Sequence, residues 1–241
     1  MKVTKYIPDT ITSMNLLCGV LGVIFTFKGR IDVAFPLMLA AAVFDFLDGL
    51  AARLLDAYSD LGKELDSLSD MVSFGVLPSV MLYKTMTECT FSDSVLCYVP
   101  LLVAVFSGIR LAKFNVDERQ HESFIGLATP ACAMVCGSLS YFIAFNQATF
   151  LAAWASGYVF IPVLSVILAG LLVCEVPMFS VKFSKDHKAD SMTTRKRLVF
   201  LLNVVLIVAI VAVLGLNWSL VVLLSFTVYA LMNIAFMIFH I

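Results

Sequence analysis

The sequence predicts an all-α polytopic membrane helix bundle, and three observations carry that prediction. Of the 241 residues, 61% are apolar and 14% are charged, with a mean hydropathy of +0.99. A soluble domain runs nearer half apolar and a quarter charged. Apolar runs long enough to cross a bilayer recur along the whole chain. They do not show the short, alternating polar and apolar pattern of barrel strands, so the backbone groups must be paired within helices.

Eight spans are expected: Ile11–Phe27, Ile31–Ala57, Leu65–Thr85, Val95–Phe114, Leu127–Phe145, Phe150–Val176, Leu198–Leu216 and Ser219–Phe239. Pro8 and Asp9-Thr10 turn the chain into the first helix, which carries polar Thr12 and Asn15 near its start. Lys2 and Lys5 precede it as in a signal peptide, but Phe27-Lys28-Gly29-Arg30 is no small-residue cleavage site, so this helix is expected to be retained. The last two spans divide at Asn217. No linker, low-complexity tract or repeat argues for a second domain.

Lys and Arg set the orientation. With the N-terminus inside, thirteen fall on the cytoplasmic side, and only Lys28, Arg30 and Lys84 fall outside. The longest polar loop, Lys182 to Arg197, is basic and is expected to lie against anionic headgroups. It lacks the aromatic interleaving of single-strand binders, so no nucleic-acid partner is expected. The six cysteines form no CxxC pair. Cys132 and Cys136 share a helix face and read as small apolar fillers rather than metal ligands.

The exception to this oiliness is the stretch from Asp45 to Asp70. On a helix at 100° per residue, Asp45, Asp48, Gly49, Ala52 and Asp56 fall within about 60° of Asp45. From Gly62, the residues Asp66, Ser69, Asp70 and Ser73 again share one face, while Glu64 points away and Asp60 sits in the intervening turn. Two helices joined by a short turn are antiparallel neighbours. Their acidic faces can therefore oppose, so that Asp45, Asp48, Asp66 and Asp70 converge near the cytoplasmic end. An aspartate near mid-membrane costs about 3 kcal/mol, and four together repel one another. Arg53 alone cannot neutralise them. Hard divalent cations can: Mg²⁺, Mn²⁺ or Ca²⁺ suit carboxylate oxygens, and four acids suit two ions. Gly49, Ala52 and Gly62 leave room beside the acids for a flat or extended ligand. Scattered acids in a hydrated loop are the bland alternative, which the i,i+3 and i,i+4 phasing on both helices disfavours.

The pattern Asp45-xx-Asp48-Gly49-xx-Ala52-Arg53, eight residues, Gly62-xxx-Asp66-xxx-Asp70 resembles the CDP-alcohol phosphotransferase signature at every position. The resemblance implies a six-helix catalytic core, residues 1–176, followed here by the basic loop 177–197 and two additional transmembrane helices in 198–241. Ser67 to Pro78, Arg110 to Val116 and Phe124 to Pro130 are similar to the membrane-embedded phosphatidylserine synthases within that family. These transfer a phosphatidyl group from CDP-diacylglycerol to L-serine and release CMP. Pro8-Asp9-xx-Thr12-xx-Asn15 resembles the family's opening motif, with Asp9 where Asn is usual, so no ligand role passes to Asp9.

The resemblance implies the following roles. Asp45, Asp48, Asp66 and Asp70 ligate two divalent cations. Asp48, Gly49, Ala52, Arg53, Gly62 and Asp66 hold the nucleotide end of the lipid, with Thr12 and Asn15 beside them. Asp70 takes the proton of the attacking hydroxyl. Arg110, Lys113, Ser73 and Thr129 are the candidates for the serine pocket. A homodimer is the family expectation, while the compactness of the chain points to a bacterial or archaeal plasma membrane and the Lys and Arg bias turns the site to the cytoplasm. The signature itself holds donor and metals and does not select the acceptor. A phosphorylated acceptor such as glycerol 3-phosphate or inositol phosphate is a dianion that wants several converging cations. Arg110 and Lys113 are few, which favours zwitterionic serine. A divalent-cation transporter is the rival of a different class. It would place acids near midplane with access from both sides, and it would release no CMP.

Overall fold

A computed structural model describes residues 6–90, 94–116, 124–178 and 191–238. The chain runs through α1 (Ile7–Phe27), α2 (Ile31–Leu55), α3 (Asp60–Asp70), a π-helical turn (Met71–Val76), α4 (Leu77–Thr90), a 3₁₀ segment (Val95–Leu101) and α5 (Leu102–Val116). There follow β1 (Phe124–Ile125), α6 (Thr129–Phe145), α7 (Phe150–Ala155), α8 (Phe160–Val173), β2 (Pro177–Met178), α9 (Ser191–Val213) and α10 (Ser219–Ile238). Among the described residues, six helical stretches are long and apolar enough to cross a membrane, and Thr129–Phe145 and Phe160–Val173 are shorter apolar helices. The protein is an all-α, multi-pass integral membrane protein.

The helix ends follow local chemistry. Pro8 sits in the first turn of α1, where its missing N–H costs nothing. At the other end Gly29 takes φ +72°, and Gly29 and Arg30 donate back to the Thr26 and Phe25 carbonyls at 3.0 and 2.9 Å, a Schellman closure. Asp56 is left-handed at φ 48° and Ala57 N–H returns to the Ala52 carbonyl, so α2 stops at Leu55. Asp56, expected on the acidic helix face, is thereby outside the helix. Ser59 Oγ accepts from Gly62 N–H at 2.9 Å and caps α3, which makes Asp60 its first residue rather than part of the turn. Asn217 Oδ1 accepts from Ser219 N–H at 3.0 Å and starts α10.

Four spans differ from the regular helices expected. The third is continuous from Asp60 to Thr90 but carries the π turn immediately after Asp70. The fourth opens with the 3₁₀ segment, which holds Pro100. The sixth is broken. Gly157 N–H closes a turn on the Trp154 carbonyl at 3.1 Å, and α8 restarts at Phe160 with Pro162 in its first turn, where a proline is tolerated. The seventh begins at Ser191, so Arg195, Lys196 and Arg197 lie on α9 and not in a loop. Most of the basic loop, residues 179–190, lies outside the described residues.

α1 packs along α2 and also meets α3, the π turn and α4. The α1 contact with the third span needs glycine: a Cβ on Gly19 would overlap Ser73 Oγ and lie 3.0 Å from its Cα, and one on Gly22 would lie 2.6 Å from Leu77 Cδ2. α6 is buried along nearly its whole length and joins two apolar clusters. One is built around Phe35, Met38, Phe74, Leu77 and Met81. The other is built around Leu139, Ile143, Ile161 and Leu172 and reaches Tyr229 and Ala230 of α10. β1 and β2 form a two-residue antiparallel clasp, extended by Gly126 N–H to Val176 O at 2.9 Å and Leu127 N–H to Leu171 O at 2.8 Å. Gly126 has φ +76°, and a Cβ there would lie 2.7 Å from the Leu172 carbonyl. The clasp thus ties the start of α6 to the end of α8. α9 is peripheral, with apolar side chains such as Leu202, Val205 and Leu206 exposed.

Candidate active site

The acids converge. Asp45 and Asp48 stand one turn apart on α2, and Asp66 stands on α3, which returns beside it after the Asp56–Ser59 turn. Each offers a carboxylate oxygen, and these three oxygens lie within 4.8 Å of one another. Oxygen ligands at about 2.0–2.6 Å from a hard cation span such a gap, and the set contains no His or Cys that would favour zinc. The residues therefore fit a hard divalent ion. Asp48 is only 6% exposed. Asp70, one turn beyond Asp66, lies within electrostatic reach of all three. Asn15 of α1 donates from Nδ2 to Asp70 Oδ1 at 3.4 Å, while Asn15 Oδ1 is buried and accepts no hydrogen bond.

A second set of contacts fixes the height of α1 against the acids. Ser69 Oγ donates to the Thr12 carbonyl at 3.2 Å, and Ser73 Oγ donates to the Asn15 carbonyl at 3.0 Å. Both serines are fully buried. Ser73, proposed from sequence for the serine pocket, lies instead at the α1 interface with its hydroxyl engaged. Thr12 Oγ1 bonds back to the Pro8 carbonyl at 3.0 Å, as hydroxyls in membrane helices commonly do.

Beside the carboxylates opens a cavity of about 220 Å³. Its walls include Asp48, Gly49, Ala52, Gly62, Asp66 and Thr12 from the expected set. A Cβ on Gly49 would meet nothing within 4 Å, so the α2 backbone there faces open space. Gly62 acts differently: a Cβ would come 2.9 Å from Asp9 Oδ1 and 3.0 Å from Ser59 Oγ, so the missing side chain lets the start of α1 close over α3. Arg53 is exposed and is not among the lining residues, and Asn15 sits under Asp70 rather than in the cavity wall. Lys63, Tyr58 and Asp9 do line it, and sequence reasoning missed them. Tyr58 falls in the eight-residue gap of the motif and Lys63 in the three-residue spacer between Gly62 and Asp66, where the motif specifies no residue. Asp9 departs from the Asn usual at its place in the family's opening motif, so the resemblance passes no role to it.

On the far side of Asp70, Arg110 of α5 is 8% exposed, and its Nη1 donates to Thr129 Oγ1 at 2.9 Å. Its Nε is buried without a hydrogen-bond partner. Asp70 lies within electrostatic reach of this guanidinium. Thr129, the first residue of α6, thus orients Arg110. Lys113 is exposed in the last turns of α5. Asn115, which sequence reasoning left without a role, donates to Ser67 Oγ at 2.9 Å and ties α5 to α3.

The family model that matches the chain is that of the CDP-alcohol phosphatidyltransferases, over residues 5–163. A CDP-diacylglycerol–serine O-phosphatidyltransferase of Bacillus subtilis is 37% identical over 137 residues, which make up 57% of this chain and 76% of that protein. The Mycobacterium tuberculosis protein of the same name is 35% identical over 158 residues, 62% of this chain and 54% of its own length. An archaetidylserine synthase of Methanothermobacter thermautotrophicus is 34% identical over 142 residues, 57% of this chain and 59% of its own length. The chain thus spans between about half and three quarters of these relatives. With its acids on α2 and α3 placed as that motif requires, the chain belongs to the CDP-alcohol phosphatidyltransferase family.

Proposed function

We propose that this protein transfers a phosphatidyl group from CDP-diacylglycerol to the hydroxyl of L-serine and releases CMP. The observation that carries the reading is the meeting of Asp45, Asp48 and Asp66 beside a headgroup-sized cavity, with Asp70 and Arg110 on its far side. The names of the relatives supply the donor and the acceptor.

In this reading the nucleotide end of the donor occupies the cavity against Gly49, Ala52 and Gly62. Lys63 at the rim adds a positive charge for the phosphates. The volume suits a nucleoside headgroup and not acyl chains, which stay in the bilayer beside the open faces of α2 and α3. Asp45, Asp48, Asp66 and Asp70 hold divalent cations, two by the count of acids, Mg²⁺ or Mn²⁺ before Ca²⁺. Such ions, when bound, neutralise charge on the diphosphate and acidify a coordinated hydroxyl. Arg110 receives the serine carboxylate through its uncommitted Nε, since a guanidinium fork matches a carboxylate. Serine is then oriented with its hydroxyl toward Asp70. The hydroxyl oxygen forms a bond to the lipid-bearing phosphorus, the bond from that phosphorus to the CMP oxygen breaks, and the serine proton goes to an Asp70 carboxylate oxygen. Asn15 fixes that carboxylate from below.

The excess of Lys and Arg at the Asp66 end of the bundle supports a cytoplasmic site in the plasma membrane of a bacterium or archaeon. A homodimer remains part of the proposal and is read by cross-linking in native membranes.

The test uses purified protein with Mn²⁺ or Mg²⁺, CDP-diacylglycerol and a panel of serine, glycerol 3-phosphate, inositol and inositol phosphate. Serine alone is expected to drive CMP release, and EDTA is expected to stop it. CMP release with glycerol 3-phosphate and none with serine overturns the acceptor. Full activity after EDTA overturns the cation site.

A further inference from the structure

Asn15 of α1 is fully buried, and its amide is used at one end only. Nδ2 donates to Asp70 Oδ1 at 3.4 Å, while Oδ1 has no hydrogen-bond partner. Turning the amide round does not cure this. An ionised Asp70 takes only donors, so the nitrogen belongs on the carboxylate and the oxygen must find its donor elsewhere.

The hydroxyls along this interface are already committed. Ser73 Oγ donates to the Asn15 backbone carbonyl, Ser69 Oγ to the Thr12 carbonyl and Thr12 Oγ1 to the Pro8 carbonyl. A hydroxyl has a single proton to give. α1 packs directly on α3 and the π turn here, with Gly19 held against Ser73. A buried amide oxygen left in this way is costly. The donor it lacks comes with a ligand.

Place and charge decide which ligand. On the reading above, the nucleotide end of the lipid fills the cavity walled by Thr12, Gly49, Ala52 and Gly62, and Asn15 is not part of that wall. Asn15 stands about one helical turn beyond Thr12, against Asp70, the carboxylate that takes the acceptor's proton. The phosphates of the donor carry acceptor oxygens only. On serine, the hydroxyl and the ammonium sit on adjacent carbons. With the hydroxyl on Asp70, the ammonium comes beside the amide already bonded to that carboxylate. An uncharged amide oxygen among carboxylates suits a cationic group with three donors, and it would face oxygen with oxygen against a phosphorylated acceptor.

We propose that Asn15 determines acceptor specificity, its Oδ1 accepting a hydrogen bond from the α-ammonium group of the incoming serine while its Nδ2 holds Asp70. The proposal rests on the serine-transfer reading above. It gives Asn15 to the acceptor and not to the nucleotide end, to which the opening motif assigns it.

The test compares L-serine with 3-hydroxypropionate, which keeps the hydroxyl and the carboxylate and has hydrogen in place of the ammonium. CMP release is measured with the full chain, Mn²⁺ and CDP-diacylglycerol. In the unsubstituted protein kcat/KM for serine is expected to exceed that for 3-hydroxypropionate at least fiftyfold. In Asn15→Ala this ratio is expected to fall at least tenfold, with the KM for CDP-diacylglycerol and the affinity for Mn²⁺ within twofold. Loss of the bond to Asp70 slows both acceptors alike and cancels in the ratio. Asn15→Ser, whose hydroxyl can bond back to its own helix, repeats the measurement if Asn15→Ala does not fold. Comparable use of the two acceptors by the unsubstituted protein overturns the proposal without any variant. A loss shared equally by both acceptors, total loss included, also overturns it. So does tenfold weaker Mn²⁺ binding with an unchanged ratio, which would make Asn15 a cation ligand. If the unsubstituted protein releases no CMP with serine, the serine-transfer reading itself has failed, a separate outcome from any of these.

Discussion

Asp66 and Asp70 stand one helical turn apart, yet their removal is expected to have different consequences. Asp66 shares a 4.8 Å cluster with Asp45 and Asp48. Asp66→Ala removes one carboxylate from that set and leaves two acids facing each other, so on the cation reading Mn²⁺ binding by the purified protein, read by electron paramagnetic resonance, is expected to weaken at least tenfold and CMP release to be lost. Asp70→Asn retains shape and one oxygen but cannot accept a proton. Turnover is expected to fall at least a hundredfold while affinity for CDP-diacylglycerol changes less than threefold, the pattern of a group needed in the transition state. Equal loss of donor affinity would make Asp70 a ligand and nothing more. These acids were legible in the sequence because helical phasing alone puts carboxylates on facing surfaces. Ser73 was misleading for the same reason: periodicity places it on the acidic face but cannot say that the Asn15 carbonyl is there to take its hydroxyl. Lys63 and Tyr58 were invisible because the turn that swings them over the cavity is made by the left-handed Asp56 and the Ser59 cap, local events with no period.

Between helices, fit is decided by atoms that are missing. Gly19 and Gly22 let α1 lie against the π turn and Leu77, and Gly19 meets backbone as well as side chain. Gly19→Ala is therefore expected to destabilise the protein by about 1–3 kcal/mol, the usual cost of overpacking. Gly170 of α8 has nothing within 4 Å of a prospective Cβ. There the same change is expected to be neutral or to stabilise by up to about 1 kcal/mol, through helix propensity alone. Denaturation in detergent reads both, and equal effects would show that the α1 contact is looser than described. The order of the apolar helices was readable from hydropathy, eight being expected where six are long enough to cross and two are shorter, whereas the interruptions were not. Ser156-Gly157 and Pro162 lie inside a run apolar enough to look continuous, and a π turn costs a helix no polar residue that a reader could notice.

Over the whole molecule, charge and site agree on a direction. Leu61 lies exposed at the start of α3, at the end of the bundle that carries the acids, and Lys28 lies exposed at the opposite end. In a variant with its six native cysteines replaced, Lys28→Cys is expected to react with a membrane-impermeant maleimide in intact cells. Leu61→Cys is expected to react only after permeabilisation, and the reverse pattern would turn the protein over.

The clasp between β1 and β2 sets an order of events during synthesis. Once Met178 is made, α6 is tied to α8, Thr129 is in place, and every residue of the carboxylate cluster is already in the membrane. Ser219, the first residue of α10, follows 41 residues later by chain numbering, 219 minus 178. At about 5–20 residues per second that is a wait of about 2–8 s. On the reading proposed above, the nascent protein in that interval has the parts to grip a nucleotide lipid while α10 has yet to pack along α6, so ribosome-bound chains would sequester donor before the bundle around them is complete.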